Sequence, residues 1–208
     1  MENDFWKQIK TSDAVKLFRE MLSLRNDFAE PDASVSMTDV WLELADDRYQ
    51  KTDEYRTKIK LYSGSDTDDT KAGVVVFGNL LTLVVTKHFW ELARKNSVLQ
   101  NFLLAHEFAH VACDHHSNGA GMKHFRLTSK NGVKANIPPT WEEFEANLAA
   151  VFFQCGVALF EKETTPFELA SRHRTDFRYA KRIQKLCQSD VFQAEYDKQT
   201  APKPFEVF

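Results

Sequence analysis

From Phe102 to Ala112 the chain is apolar on every side of a helix, through Phe102, Leu103, Leu104, Ala105, Phe108, Ala109, Val111 and Ala112, yet it also carries His106, Glu107 and His110. A helix that is hydrophobic all round belongs at the centre of a fold, covered by other elements on each side. Placing two imidazoles and a carboxylate there is costly unless they are paired or bound to a metal. One segment therefore marks both the centre of the architecture and the place where chemistry is to be sought.

Two histidines four positions apart project from the same helical face, one turn apart, so His106 and His110 can reach a single ion. Imidazole donors in that geometry suit zinc (Zn2+), and Glu107, next to the first ligand, is placed to act as general base on a water molecule. A third ligand is offered by the next strong helical segment, Trp141-Glu142-Glu143-Phe144-Glu145-Ala146-Asn147. There Glu143 and Asn147 share a face at i and i+4, so Glu143 can ligate while Asn147 reaches the second nitrogen of a histidine. Glu142 and Glu145 lie on the same turn and remain alternatives to Glu143. Two histidines and one carboxylate leave a fourth position open, which marks a catalytic rather than a structural zinc site. No serine or cysteine stands in a nucleophile-elbow sequence, and no glycine-rich phosphate loop is present.

The remaining composition narrows the setting. The 208 residues, 43% of them hydrophobic, fit a single domain with a sizeable core. A net charge of -3 and an isoelectric point near 6.2 supply no basic field for nucleic acid or an anionic membrane. No apolar run reaches the roughly 18 residues of a bilayer span, and the acidic start Met1-Glu2-Asn3-Asp4 does not resemble a secretory signal. Cys113, Cys155 and Cys187 are an odd, widely spaced set, as in a reducing compartment, so a cytoplasmic location is expected. Cys113, beside the histidine helix, reads as a packing residue rather than a redox switch.

Patterning predicts an α+β chain. Residues 1–30 read as one or two amphipathic helices with Ser12-Asp13 as an internal cap. Residues 33–85 read as a small, mostly antiparallel sheet, in which Val35, Met37, Val40, Leu42 and Leu44 alternate as a strand and Gly78-Asn79 turns a hairpin. The polar run 64–70 reads as a solvated turn, because it lacks the ligand spacing of a calcium loop. Thr86 caps a short helix, and Ser97 caps the histidine helix within 97–116. After a long loop over 117–139, Thr140 starts a helix running through Phe160, and Pro166 starts a last helix to about Cys187, within a helical part spanning 140–188. The tail, 190–208, reads as irregular.

His106 to His110, followed by His115-His116 and then by Glu143-Phe144-Glu145-Ala146-Asn147, resembles the ImmA/IrrE type of prokaryotic metallopeptidase, with its HExxH motif and E-x-E-A-N/D helix. Similar wording occurs in the HtpX-like and CAAX-prenyl peptidases and in the phage-exclusion protease Lit. The resemblance covers about residues 80–155. It implies a zincin-like fold whose sheet packs on the active-site helix, with His106, His110 and Glu143 as metal ligands and Glu107 as the catalytic base. HtpX-like enzymes are embedded in membranes, which sets that branch apart from this chain.

The function so implied is that of a zinc metalloendopeptidase cutting a specific intracellular protein, such as a repressor or a host factor in phage-related regulation or defence. A separately encoded regulatory protein would be a further partner. The alternative is a zinc-containing sensor or binding protein without turnover. His173, in Ser171-Arg172-His173-Arg174, is the candidate donor to the oxyanion, with Arg178 and Tyr179 behind it. The strand Val74 to Phe77 is the candidate edge for pairing with a substrate backbone.

Overall fold

The computed structural model describes residues 2–46, 56–63, 72–115 and 140–201, and within them the chain is α+β. Three strands, β1 (Arg56–Tyr62), β2 (Ala72–Phe77) and β3 (Leu80–Thr86), form a sheet of order β1-β3-β2. Leu81, Leu83 and Val85, alternating along β3, are all buried, and this most apolar strand takes the centre. The hairpin at Gly78-Asn79 pairs β2 antiparallel to β3, with Gly78 at φ +59, a conformation open to glycine at no steric cost. β1 runs parallel to β3, with Arg56 opposite Leu80 and Tyr62 opposite Thr86. The sheet is thus mixed, one parallel and one antiparallel pair, rather than mostly antiparallel. Central placement of β3 leaves β1, with Lys58 and Lys60 on it, at the other edge.

The described residues also form nine α-helices, of which α3, α4 and α5 pack on the sheet: α1 (Glu2–Gln8), α2 (Thr11–Asn26), α3 (Met37–Leu44), α4 (Lys87–Arg94), α5 (Val98–Ala112), α6 (Trp141–Cys155), α7 (Pro166–His173), α8 (Phe177–Cys187) and α9 (Asp190–Thr200). α5 lies against α6, α4, α3 and β2, and every residue from Gln100 to His110 is buried. Its core contacts are aromatic: Phe108 meets Phe153 at a ring separation of 4.6 Å and stands edge-on to Trp41 and Phe28. The Trp41 indole N–H donates to the Leu104 carbonyl at 3.1 Å. Asn101 ties three elements together, accepting from the Met37 amide and donating to the carbonyls of Val35 and Arg174.

Several expectations need correction. Residues 37–44 are a helix, not a strand: Met37, Val40, Trp41 and Leu44 fall at i, i+3, i+4 and i+7, and that stripe faces the core. The helix beginning at Thr140 changes at Gly156 to a 3-10 turn, Gly156–Phe160. The helix from Pro166 is broken, because Arg174 adopts left-handed φ +54 and Asp176 caps a new helix by accepting from the Arg178 and Tyr179 amides. Residues 190–200 are helical rather than irregular, started by Ser189, whose hydroxyl accepts from the Phe192 amide. Ser12 and Asp13 do not cap α2, whose first turn follows Lys10 without a side-chain cap. Trp141–Phe160 is, by length and hydropathy, long and apolar enough to cross a membrane, but 72% of its most apolar window is buried inside the fold, as in a core helix. The caps at Thr86, accepting from the Phe89 amide, and Thr140, accepting from the Glu143 amide, are as expected. Ser97 does stand at the start of α5, but its hydroxyl donates to Gln100 instead of accepting from the helix. The polar run 64–70, the loop 117–139, and His116 and His124 lie outside the described residues.

Candidate metal centre

α5 and α6 meet turn for turn in opposite directions. His106 Nδ1 lies 3.0 Å from Asn147 Oδ1, and one turn on, His110 Nε2 lies 3.7 Å from Glu143 Oε1. Thr140 starts α6 by accepting from the Glu143 amide, which fixes the first turn and with it the Glu143 side chain opposite the histidines. His106 and His110 are fully buried, and the Glu143 side chain is 31% exposed, so the group sits at the inner end of a partly open approach.

The donor atoms of His106, His110 and Glu143 all lie within 4.8 Å of one another. His106 Nε2 is 3.0 Å from His110 Nε2 and 3.2 Å from Glu143 Oε2. With zinc bonds of about 2.0–2.1 Å, ligand atoms at tetrahedral angles stand about 3.3 Å apart, and the observed 3.0, 3.2 and 3.7 Å separations bracket that edge.

Hydrogen positions sharpen this fit. Asn147 Oδ1 can only accept, so the His106 Nδ1 it meets carries the hydrogen and Nε2 is left as a bare lone pair. That lone pair faces a Glu143 carboxylate oxygen, another acceptor, at 3.2 Å. A buried acceptor and a part-exposed one in that opposition repel unless a cation stands between them. Of the acidic residues on the first turns of α6, Glu143 faces the pair, while Glu145 Oε2 lies 3.1 Å from His115 Nε2.

Glu107 is fully buried, and among the described residues neither carboxylate oxygen has a hydrogen-bond partner. Burial pushes its pKa well above the ordinary value of 4.5, the nearby Glu143 carboxylate adds to that rise, and the Val74 backbone N–H opposes it without closing a hydrogen bond. β2 therefore runs beside the candidate base. Among the described residues β2 pairs only with β3, which makes it an edge strand, as a backbone-pairing role requires.

His173 is not brought to this group. It is fully buried at the end of α7, where the Gln154 backbone and the charges of Arg172, Arg25 and Glu161 act on it, and burial is the chief cause that pushes its pKa down to about 4. At about 1.5 Å per residue, Gln154 is some 16 Å along α6 from Glu143. The break at Arg174 separates α7 from α8, and it is α8 that reaches α5 next to the first histidine. Tyr179 on α8 stacks on Phe102 at 5.6 Å, and Phe102 in turn lies 6.5 Å from the His106 ring. Arg178 points outward, 81% exposed, and pairs with Asp176.

His115, expected at the surface or hydrogen-bonded near the end of the helix, meets His110 directly, Nδ1 to Nδ1 at 2.8 Å. A spacing of five is not a helical contact, and the signal lay only in how α5 ends. The Cys113 thiol is pushed up to about 12, chiefly by burial and then by Glu145 and Glu20, so it stays protonated, as a packing residue would. Compared with family models, curated proteins and solved structures, the chain matches none.

Proposed function

We propose that this protein is a zinc-dependent endopeptidase of the zincin kind, with His106, His110 and Glu143 holding the metal and Glu107 as general base. The observation that carries the reading is the acceptor-to-acceptor approach of the buried His106 Nε2 and Glu143 Oε2 at 3.2 Å, beside the buried Glu107 carboxylate, which has no hydrogen-bond partner among the described residues. The order of these residues, as in the ImmA/IrrE type, supports the same assignment.

When bound, zinc supplies Lewis acidity to a peptide carbonyl and to a water molecule. Glu107 takes the proton from the attacking water on a carboxylate oxygen and returns it to the leaving nitrogen. A pKa raised by burial suits the second half of that exchange, and a cation beside it favours the ionised form that the first half needs. Asn147 holds the His106 ring through Nδ1. The edge of β2 that faces away from β3 and pairs with no other described strand, next to Glu107, is where an extended substrate backbone would pair. The substrate we propose is an intracellular protein cut at a defined place, a repressor or a host factor.

The test is comparative proteomics of cells expressing the wild type or Glu107→Gln, alongside the zinc content of both proteins. New protein termini made by the wild type and absent with the zinc-loaded variant are expected. Zinc retained by both with no protein cut by either would replace the peptidase by a zinc-containing sensor or binding protein.

A further inference from the structure

We infer that His115 and Glu145 are positioning residues, which fix the proton arrangement and orientation of His110 and thereby set how tightly the site holds its metal. The inference rests on the metal assignment above but not on peptide cleavage.

The arrangement begins with the end of α5. Asp114 follows the last turn in the left-handed conformation, φ +54, its amide donates to the Val111 carbonyl, and the His115 amide donates back to the His110 carbonyl at 3.0 Å. This pair of bonds is the Schellman termination, which reverses the chain over its own last turn. Its consequence here is that His115, five residues on, lies against His110 itself. His115 is 5% exposed, so its ring is held in place rather than swept through solvent.

From the outside inward, the contacts among the described residues then favour one arrangement of hydrogens. The Glu145 carboxylate can only accept, so His115 Nε2, 3.1 Å away, carries a hydrogen. In the neutral ring the other nitrogen, Nδ1, is therefore an acceptor. It meets His110 Nδ1 at 2.8 Å, so that nitrogen is the donor. His110 Nε2 is left as a lone pair, 3.0 Å from the lone pair of His106 Nε2, which Asn147 fixes from the opposite side. The two ligands are thus oriented by two different partners on the same helix, α6: an uncharged amide for His106, and a carboxylate acting through a second imidazole for His110. The negative end makes the His110 N–H a better donor and its Nε2 a stronger base, which favours metal over a vacant pair of rings.

The test measures zinc affinity by competition with a chromophoric chelator, with metal-free thermal stability recorded for each variant. His115→Ala and Glu145→Ala are expected to weaken zinc binding about 10- to 100-fold, in the range known for such outer partners. Glu145→Gln keeps an acceptor oxygen for His115 Nε2 and a similar shape, so it is expected to recover part of the loss and gives a folded comparison should an alanine variant misfold. In the cobalt-substituted protein, the visible ligand-field spectrum should shift in the alanine variants, because the orientation of His110 changes. Zinc affinities within about twofold of wild type in the folded variants, with unchanged cobalt spectra, would overturn the inference. A wild type that takes up no zinc would sink the metal assignment and this inference together. A wild type that binds zinc with the expected variant losses but cuts no protein would sink only the peptidase reading.

Discussion

Replacing Glu107 by glutamine should make the metal-free protein more stable, although it removes the group proposed to do the chemistry. Glu107 is fully buried and both its oxygens lack partners among the described residues, so the folded state bears the cost of an ionised carboxylate without compensation. Leaving a buried polar group unsatisfied costs about 1–3 kcal/mol, and more for a charge. Glutamine keeps the shape and the two unpartnered polar atoms but removes the charge. A gain of about 1–3 kcal/mol is expected, which at about 2–4 °C per kcal/mol for a chain of this size amounts to on the order of 5 °C in Tm. The sign of the pH dependence follows from the raised pKa. The folded state holds the Glu107 proton to higher pH than the unfolded chain, so the wild type loses stability as pH rises above the ordinary value of 4.5. The advantage of Glu107→Gln should therefore be larger at pH 8 than at lower pH and shrink as the pH is lowered toward that value. Thermal unfolding followed by circular dichroism, in excess chelator and at several pH values, measures it. An equal or lower Tm for the variant at pH 8, or a gain that does not change with pH, would refute the account of Glu107 as a buried unpartnered carboxylate.

Two other perturbations probe the surroundings. Gly156 has φ +52 and ψ -136, and a Cβ there would stand 2.7 Å from Nε and 2.9 Å from Cδ of Arg25, itself buried and bonded to the Ala33 carbonyl, so Gly156→Ala should cost at least about 2 kcal/mol in urea unfolding; a cost below about 0.5 kcal/mol would show that the junction of α6 with the following turn relaxes freely. The Cys113 thiol, pushed up to about 12, should react with iodoacetamide at pH 8 at least about a hundredfold more slowly than free cysteine, and alkylation at the free rate would contradict its protonated, packed state.

What could be read from sequence divides by the range of the interaction. His106, Glu107 and His110 were legible because helical spacing alone puts two imidazoles on one face, and Glu143 with Asn147 because the same rule applies to α6. The caps at Thr86 and Thr140 are equally local. α3 was misread because Met37, Val40, Leu42 and Leu44 also satisfy a loose alternation, and only the burial of Trp41 beside Leu104 decides for the helix. The break after α7 gave no glycine as a signal, since Arg174 itself takes the left-handed position, although Asp176 was available as a cap. That break is also why His173 faces Arg25 and Gln154 while Tyr179 flanks Phe102. The parallel pairing of β1 with β3 and the approach of Glu145 to His115 join residues far apart in sequence, and no local pattern encodes either.

The central claim is that His106, His110 and Glu143 together hold one metal ion, and elemental analysis of the purified protein tests it most directly. The wild type, exposed to zinc and then desalted, should retain about one equivalent, whereas His106→Ala, His110→Ala and Glu143→Ala should each lose it while remaining folded. A wild type that retains no zinc, or folded variants that keep the full equivalent, would contradict the account.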